Sequence, residues 1–167
     1  MPMRHSFVII CMLFLAGHVV FGQTTKARNW CLIGVAKVDV TPKGPVVLAG
    51  YGGRTTEHEG IDTKLWARAM VMGNKSPVAV VVLDNCGVPA GVTRRLAQRL
   101  VKHGITPKRL VVAATHTHNA PSLVGYAKVV WAGRMSPAQK KRMAEYTTFA
   151  IDRMESAVLR ALKNRQL

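Results

Sequence analysis

The sequence predicts a mixed α/β fold with a mixed sheet, one βαβ crossover and a long C-terminal helix. Residues 77–84 and 109–114 are apolar runs of strand length, and residues 91–103 between them carry apolar side chains at helical spacing. A strand, a helix and a second strand in this order predict a crossover that joins two parallel strands. A second helical pattern, which begins near Pro137, predicts the C-terminal helix.

Two further strands are predicted before the crossover. Residues 32–40 are rich in β-branched side chains and are followed by the turn-forming residues 41–45. Residues 65–72 form the second predicted strand. Residues 50–62 between them begin with Gly-Tyr-Gly-Gly and are otherwise polar, so they predict a loop in which glycine permits positive φ or a close approach of the backbone.

The crossover itself has clear boundaries. The predicted strand at residues 77–84 is continuously apolar up to Asp84 at its end, which is typical of a strand covered on both faces. In the helix that follows, Val92, Leu96 and Leu100 recur every four positions and share one face. Gly104 is expected to end this helix.

The C-terminal helix has a recognisable start. Ser136 is a suitable N-cap, Pro137 suits the first helical position, and Gln139 completes a capping box with Ser136. One face of this helix is predicted to be buried, and it contains Met143, Tyr146, Thr147, Ala150, Met154, Ala157, Val158 and Leu162.

The N-terminal residues 1–22 are predicted to be a signal peptide. Arg4 and His5 precede an apolar run at residues 7–16, and small or apolar residues suited to cleavage end at Gly22. An uncleaved N-terminal anchor is the alternative interpretation. We expect residues 23–167 to form one domain, or a piece of a larger one, and to be exported either to a periplasm or out of the cell.

The chain is strongly basic, with 24 Lys and Arg against 8 Asp and Glu and a formal net charge of +16. This charge favours an anionic partner, such as an acidic membrane surface. The basic residues are dispersed and few aromatic side chains accompany them, so nucleic-acid binding is not expected.

Two of the three cysteines, Cys31 and Cys86, lie beyond the predicted signal peptide. In an oxidising compartment they permit one disulfide. Two buried thiols are an equally good interpretation of the same residues.

The segment with the most chemical information is the heptapeptide at residues 115–121, Thr-His-Thr-His-Asn-Ala-Pro. His116 and His118 follow a predicted buried strand and face the same side if the backbone stays extended. Imidazole is a favoured zinc ligand, so either both histidines bind one ion, or one binds it and the other contacts substrate. Ordinary partly buried histidines are the alternative.

Asp84 is expected near these histidines, because the carboxyl ends of parallel strands meet at one edge of the sheet. It either orients an imidazole from behind or caps the following turn. The other histidines are poorer candidates: His58 reaches the site only if its polar loop folds over it, and His103 lies at the opposite edge.

The sequence contains no P-loop, no Gly-x-Ser-x-Gly elbow and no Cys-x-x-Cys pair.

Six segments resemble, in order, the N-terminal part of the neutral/alkaline non-lysosomal ceramidase family. They lie between Leu32 and Tyr126 and comprise residues 34–42, 48–52, 59–61, 65–69, 80–84 and 114–121. The last is similar to the family's Thr-His-Thr-His-Ser-Gly-Pro signature, with Asn119 and Ala120 in place of Ser-Gly.

This resemblance implies a zinc amidase that cleaves the N-acyl bond of ceramide to give sphingosine and a fatty acid. It implies that His116 binds zinc and that His118 lies beside the metal and contacts substrate or transition state. Family members are several times longer, and their remaining ligands (a His, a Glu and a Tyr) and a catalytic serine come from later segments. The resemblance therefore implies an incomplete zinc site, and we expect a truncated chain that is weakly active or inactive by itself.

Two other functions remain open at this point. One is a non-catalytic exported module whose basic surface binds acidic lipid or glycan. The other is an enzyme of the same superfamily that acts on a different amide or on an ester.

Overall fold

A computed structural model describes residues 30–127 and 133–167. The predicted signal peptide at residues 1–22 lies outside these residues. The described part is a mixed α/β fold in which a four-stranded sheet packs against two α-helices. Its elements are β1 (Ile33–Asp39), β2 (Trp66–Met72), β3 (Val78–Leu83), α1 (Ala90–Leu100), β4 (Leu110–Ala114) and α2 (Pro137–Lys163), with short 3-10 turns at Val101–His103 and Pro107–Arg109.

The sheet is mixed, and its strand order is β1-β2-β3-β4. β1 pairs antiparallel with β2, and β2 pairs antiparallel with β3. β3 and β4 are parallel, with Val81 opposite Val112, and α1 connects them. The predicted βαβ crossover is therefore confirmed, and the carboxyl ends of β3 and β4 lie at the same edge of the sheet.

The core lies between one face of the sheet and the two helices. β3 contributes Ala79, Val81 and Leu83, all buried, while the alternate residues of the strand are only half-buried. The expectation that residues 77–84 are covered on both faces is wrong for the described residues. Both helices pack on the same side of the sheet, so no element within residues 30–127 and 133–167 covers the outer face, where Val35 and Val111 are 64% and 52% exposed.

The crossover helix ends earlier than its sequence pattern predicts. The α-helical geometry stops at Leu100, and a 3-10 turn over Val101–His103 completes the predicted span. Gly104 then takes the left-handed conformation (φ 80°), and its N–H donates to the Val101 carbonyl. A glycine at this position ends the helix without steric cost.

The predicted capping box begins α2. The Ser136 hydroxyl accepts from the Gln139 amide at 3.3 Å, and the Gln139 side chain accepts from the Ser136 amide at 2.8 Å. On the buried face, the Tyr146 hydroxyl donates to the Val40 carbonyl at 2.9 Å, and burial raises the pKa of this phenol. Among the described residues, no helix is both long enough and apolar enough to cross a membrane.

Gly34 provides a test of how β1 packs against the end of α2. A Cβ at this position would overlap the Ala161 carbonyl oxygen and lie 2.8 Å from the Arg165 amide nitrogen. Because backbone atoms cannot move aside, we expect Gly34→Ala to lower the free energy of unfolding by about 1–3 kcal/mol. Thermal and denaturant unfolding measure this change.

Gly91→Ala in α1 is the matched control for this experiment. A Cβ on Gly91 meets no atom within 4 Å, so the same substitution leaves the stability unchanged or raises it by about 0.5–1 kcal/mol. Equal melting temperatures for the two variants would show that β1 does not pack closely against the end of α2 at Gly34.

Candidate metal centre

His116 leaves the sheet in a backbone conformation that few non-glycine residues adopt. The amide of Thr115 still donates to the Leu83 carbonyl at 3.1 Å, which extends the pairing of β4 with β3. His116 then takes a left-handed conformation, with φ of 64°. The two histidines therefore meet through a turn, and not through the extended backbone that their spacing indicated. Strain of this kind costs about 1–3 kcal/mol and is concentrated at functional sites.

The two imidazoles present their Nε2 atoms to each other. These atoms are 3.5 Å apart, and the rings are arranged edge to face with centroids separated by 5.1 Å. Two nitrogen ligands at about 2.0–2.1 Å from a tetrahedral zinc ion lie about 3.4 Å apart. The observed separation therefore fits a pair of imidazoles that face one ion.

The tautomer of His116 is set by a hydrogen bond at Nδ1, the ring nitrogen that does not face His118. Its Nδ1 lies 2.7 Å from the main-chain carbonyl oxygen of Cys86. Because a carbonyl oxygen only accepts, Nδ1 carries a proton, and in the neutral ring Nε2 therefore has its lone pair on the side of His118. A carbonyl behind the imidazole is a common arrangement for metal-binding histidines.

Asp84 lies at the expected edge of the sheet, but its carboxylate is engaged elsewhere. One oxygen accepts from the Arg68 guanidinium at 2.7 Å, and the other accepts from the Trp66 amide at 2.9 Å. Asp84 thus ties β3 to β2, and the Cys86 carbonyl orients His116 in its place. Asn85 caps the following turn by accepting from the Gly87 amide at 3.3 Å.

The glycine-rich loop packs directly against His118. Gly50 has φ of 108°, and a Cβ there would lie 2.5 Å from the Cβ of His118. The expectation that glycine serves positive φ or a close approach is therefore confirmed, because Gly50 does both. The Tyr51 ring meets the His118 ring edge to face at a centroid distance of 4.9 Å.

Arg54 holds the same loop to the heptapeptide. Its guanidinium donates to the His118 carbonyl and, at 3.0 Å, to the Asn119 side-chain oxygen. It also lies 4.7 Å from the centre of the Tyr51 ring. Nothing in the sequence pattern distinguished Arg54 from the other dispersed basic residues.

Contacts with α2, and with Arg134 just before it, fix the remainder of the loop. Arg142 makes a bidentate ion pair with Glu57, with N–O distances of 2.6 and 2.8 Å. The Arg134 guanidinium donates to the Gly52 carbonyl at 2.6 Å, and the Gln139 side chain donates to the Thr55 carbonyl at 3.1 Å. The C-terminal helix therefore helps to position the residues around His118.

Cys31 and Cys86, the two cysteines that the structure describes, do not pair, and of these two only Cys86 is buried. Cys31 precedes β1. The first residue of β1 pairs with Met72, and Met72 pairs with the first residue of β3, so Cys31 lies near the end of the sheet at which β3 begins. Cys86 follows the end of β3, so the two thiols lie at opposite ends of the sheet. Cys31 is exposed, which makes the expectation of two buried thiols correct for Cys86 alone.

Cys86 is a site residue that the sequence interpretation missed. Its Sγ lies 2.9 Å from the Tyr126 hydroxyl and 4.0 Å from Nδ1 of His116. The hydrogen bond to Cys86 and burial raise the pKa of the Tyr126 phenol. The signal that could have identified Cys86 is its position just beyond β3, at the same edge as the histidines.

The other described histidines do not take part in the site. Both ring nitrogens of His58 lie 3.1 Å from main-chain carbonyl oxygens, those of Gly60 and Gly44. His58 is therefore half-buried between its own loop and the turn at residues 41–45, and the loop does not bring it to the site. His103 ends the 3-10 turn after α1, at the edge opposite His116.

A family model described as neutral/alkaline non-lysosomal ceramidase, N-terminal, matches residues 31–166. A solved structure described as ceramidase complexed with C2 superposes with a TM-score of 0.66 at 22% identity, over 81% of this chain and 22% of that one. The crystal structure of neutral ceramidase from Pseudomonas aeruginosa gives a TM-score of 0.63 at 23% identity, again over 81% and 22%. The chain thus spans 22% of the length of these two structures, and the likeness to them is one of fold. No curated protein matches the chain.

Proposed function

The chain belongs to the neutral/alkaline non-lysosomal ceramidase family, and from this membership we propose that it supplies part of a zinc-dependent amidohydrolase. The proposed reaction is cleavage of the N-acyl bond of ceramide-like lipids. The observation that carries the proposal is the pair of Nε2 atoms 3.5 Å apart, in which the His116 tautomer is fixed by the Cys86 carbonyl. Membership alone would not distinguish a competent site from a decayed one.

In the proposed site His116 holds the metal through Nε2. Zinc, when bound, supplies a Lewis acid that polarises an amide carbonyl and activates water at neutral pH. His118 is the proposed catalytic residue, because its Nε2 faces the same point and can hold or donate a proton there. Gly50, Tyr51 and Arg54 keep the His118 ring and its backbone in place.

The departure from the family's signature is accommodated by a local contact. Asn119 stands where the family has serine, and its side-chain oxygen accepts from Arg54 at 3.0 Å. Ala120, in place of glycine, is fully buried, and its carbonyl accepts from the Ala49 amide at 2.8 Å. Both residues therefore support the turn that carries the histidines, which favours a retained site.

We expect hydrolysis by this chain alone to be slow. Among residues 30–127 and 133–167, the group of potential ligands around His116 contains only Cys86 and His118 besides it. The proposal includes export of the protein through the predicted N-terminal signal, which would place the site on the side of a membrane where its lipid substrate is accessible.

A second candidate function is favoured by the net charge of +16. It is a non-catalytic module whose basic surface binds acidic lipid. Such binding is electrostatic and weakens as salt screens the charges over about 10 Å at 0.1 M ionic strength. Salt dependence therefore separates this activity from recognition of an uncharged ceramide.

The test is hydrolysis of a short-chain N-acyl sphingosine, with protein in excess over substrate so that slow turnover is detected. We expect zinc-stimulated release of the fatty acid by the natural sequence and none by the His116→Asn variant. Equal release of the fatty acid by the two proteins would overturn the amidase proposal. Salt-sensitive binding to phosphatidylserine vesicles without hydrolysis would establish the second candidate instead.

A further inference from the structure

The edge of the sheet that carries the histidines also exposes an aromatic and an apolar side chain. The Tyr51 ring is 55% exposed, although it meets the His118 ring at a centroid distance of 4.9 Å. Val124, which follows the heptapeptide, is 44% exposed, and its amide donates to the Thr147 hydroxyl of α2 at 3.0 Å. Exposed tyrosine and apolar side chains beside basic groups are typical of surfaces that contact the head-group layer of a bilayer.

Two guanidinium groups at this edge have no carboxylate partner. The Arg134 guanidinium donates to the Gly52 carbonyl at 2.6 Å, and the Arg54 guanidinium donates to the carbonyls of His118 and Ala49. Within residues 30–127 and 133–167, neither arginine forms an ion pair. Because no carboxylate neutralises these two charges, they are available to attract anionic head groups.

The acidic residues of the chain do not cancel this positive charge. Six of the eight Asp and Glu residues form ion pairs with Lys or Arg, among them Glu57 and Asp84. The other two, Glu59 and Asp62, are exposed in the second half of the loop, which His58 connects to the turn after β1. The first half, residues 50–56, contacts the histidines and contains no acidic residue.

We propose that Tyr51, Arg54, Val124 and Arg134, which we call the site rim, dock on the anionic surface of a lipid bilayer. The inference rests on the proposed function, because a site that cleaves a membrane lipid has to face the membrane that contains it. The two arginines contact the phosphate and carboxylate head groups, and the tyrosine and valine enter the head-group layer. His116 is itself exposed, so the docked protein presents its imidazole to the bilayer.

The opposite edge of the sheet is the competing surface. It is also basic, with Lys102, Lys108 and Arg109 in the two 3-10 turns, and Val101 is 50% exposed there. This edge lies at the start of β4, whereas the histidines follow its end. A protein bound through the opposite edge would direct the histidines away from the bilayer. The net charge does not distinguish the two orientations, and single substitutions at the two edges do.

Arg134→Gln and Val124→Asp alter the site rim, and Lys102→Gln and Val101→Asp are the matched controls at the opposite edge. Each of the four substitutions makes the net charge less positive by the same amount, so a diffuse attraction is weakened equally by all of them. The probe is co-sedimentation of the zinc-free protein with vesicles of phosphatidylserine and phosphatidylcholine at about 0.1 M salt, where charges are screened over about 10 Å.

We expect each site-rim substitution to weaken binding to these vesicles by about fivefold or more, because a basic residue near an acidic surface contributes about that factor. The two controls are expected to change binding by less than about twofold, since their charges lie beyond the screening distance. Arg134→Lys keeps the charge and is expected to keep the binding. An equal loss in Arg134→Lys and Arg134→Gln would contradict the electrostatic contact.

The inference is overturned if all four substitutions weaken binding equally, if the control pair has the larger effect, or if the natural protein does not bind the acidic vesicles. Its failure is distinguishable from failure of the proposed function, because hydrolysis of a short-chain substrate in solution needs no bilayer. Hydrolysis without binding through the site rim would leave the amidase without this docking surface. Binding through the site rim without hydrolysis would leave the docking surface without the amidase.

Discussion

Replacing His116 is expected to lower the affinity of the site for zinc by at least about 100-fold. Loss of a group behind a ligand already costs about 10–100-fold, and His116 is itself the proposed ligand. Its Nε2 is the nitrogen left free by the hydrogen bond between Nδ1 and the Cys86 carbonyl. Calorimetric titration, or competition with a chelating dye, measures the change.

The choice of substituent matters because His116 has φ of 64°. Asparagine tolerates the left-handed region better than alanine, so His116→Asn removes the ligand with less strain than His116→Ala. His103→Ala is the control, since it removes a histidine from the opposite edge of the sheet. Zinc affinity that is the same in His116→Asn, His103→Ala and the natural sequence would exclude His116 as a ligand.

The second large effect on stability and zinc affinity is expected when Gly50, which has φ of 108°, is replaced by alanine. In Gly50→Ala, the new Cβ would lie 2.5 Å from Cβ and Cγ of His118 and 2.8 Å from its Cα. Either the loop or the histidine must move, in addition to the cost of positive φ in a residue with a side chain. We expect a loss of about 1–3 kcal/mol in the free energy of unfolding and of at least about tenfold in zinc affinity.

Gly53→Ala is the control in the same loop. A Cβ on Gly53 meets nothing within 4 Å, and its φ lies outside the left-handed range. We expect this variant to resemble the natural protein in both unfolding and zinc titration. If Gly50→Ala also had the unfolding free energy and the zinc affinity of the natural protein, Gly50 would not lie as close to His118 as described.

The elements with strong local signals were predictable from the sequence. The capping box at Ser136 and Gln139 depends on neighbouring residues alone, and it forms as expected. The crossover was predictable because two apolar runs flanked one helical pattern, and parallel pairing follows from that order. These features need no knowledge of distant contacts.

The features that the sequence did not reveal depend on long-range packing. Only one face of β3 is buried, because α1 and α2 pack on the same side of the sheet. The apolar run at residues 77–84 does not indicate on which side the helices pack. The left-handed conformation of His116 carries no local signal, since only a few per cent of non-glycine residues adopt it. The contacts that Arg54 makes with His118 span 64 positions, and those of Cys86 with His116 span 30.

The role of Asp84 could not be inferred from its position in the sheet alone. It lies at the edge of the sheet where ligands bind, and this placement was predicted correctly from the crossover. Its charge, however, is neutralised by Arg68 on the neighbouring strand, a pairing that depends on the register of β2 against β3. The imidazole is oriented by a main-chain carbonyl instead, and every residue has such a group, so its use cannot be predicted from residue type.

The central claim is that a zinc ion binds at the turn that follows β4 through the imidazole of His116. Zinc-edge X-ray absorption of the purified protein, in excess over added zinc, tests it most directly. We predict nitrogen scatterers at about 2.0–2.1 Å with the outer-shell pattern of imidazole, and a loss of that pattern in His116→Asn. A spectrum of the natural sequence without the imidazole pattern, or a spectrum that is identical in the two proteins, would contradict the claim.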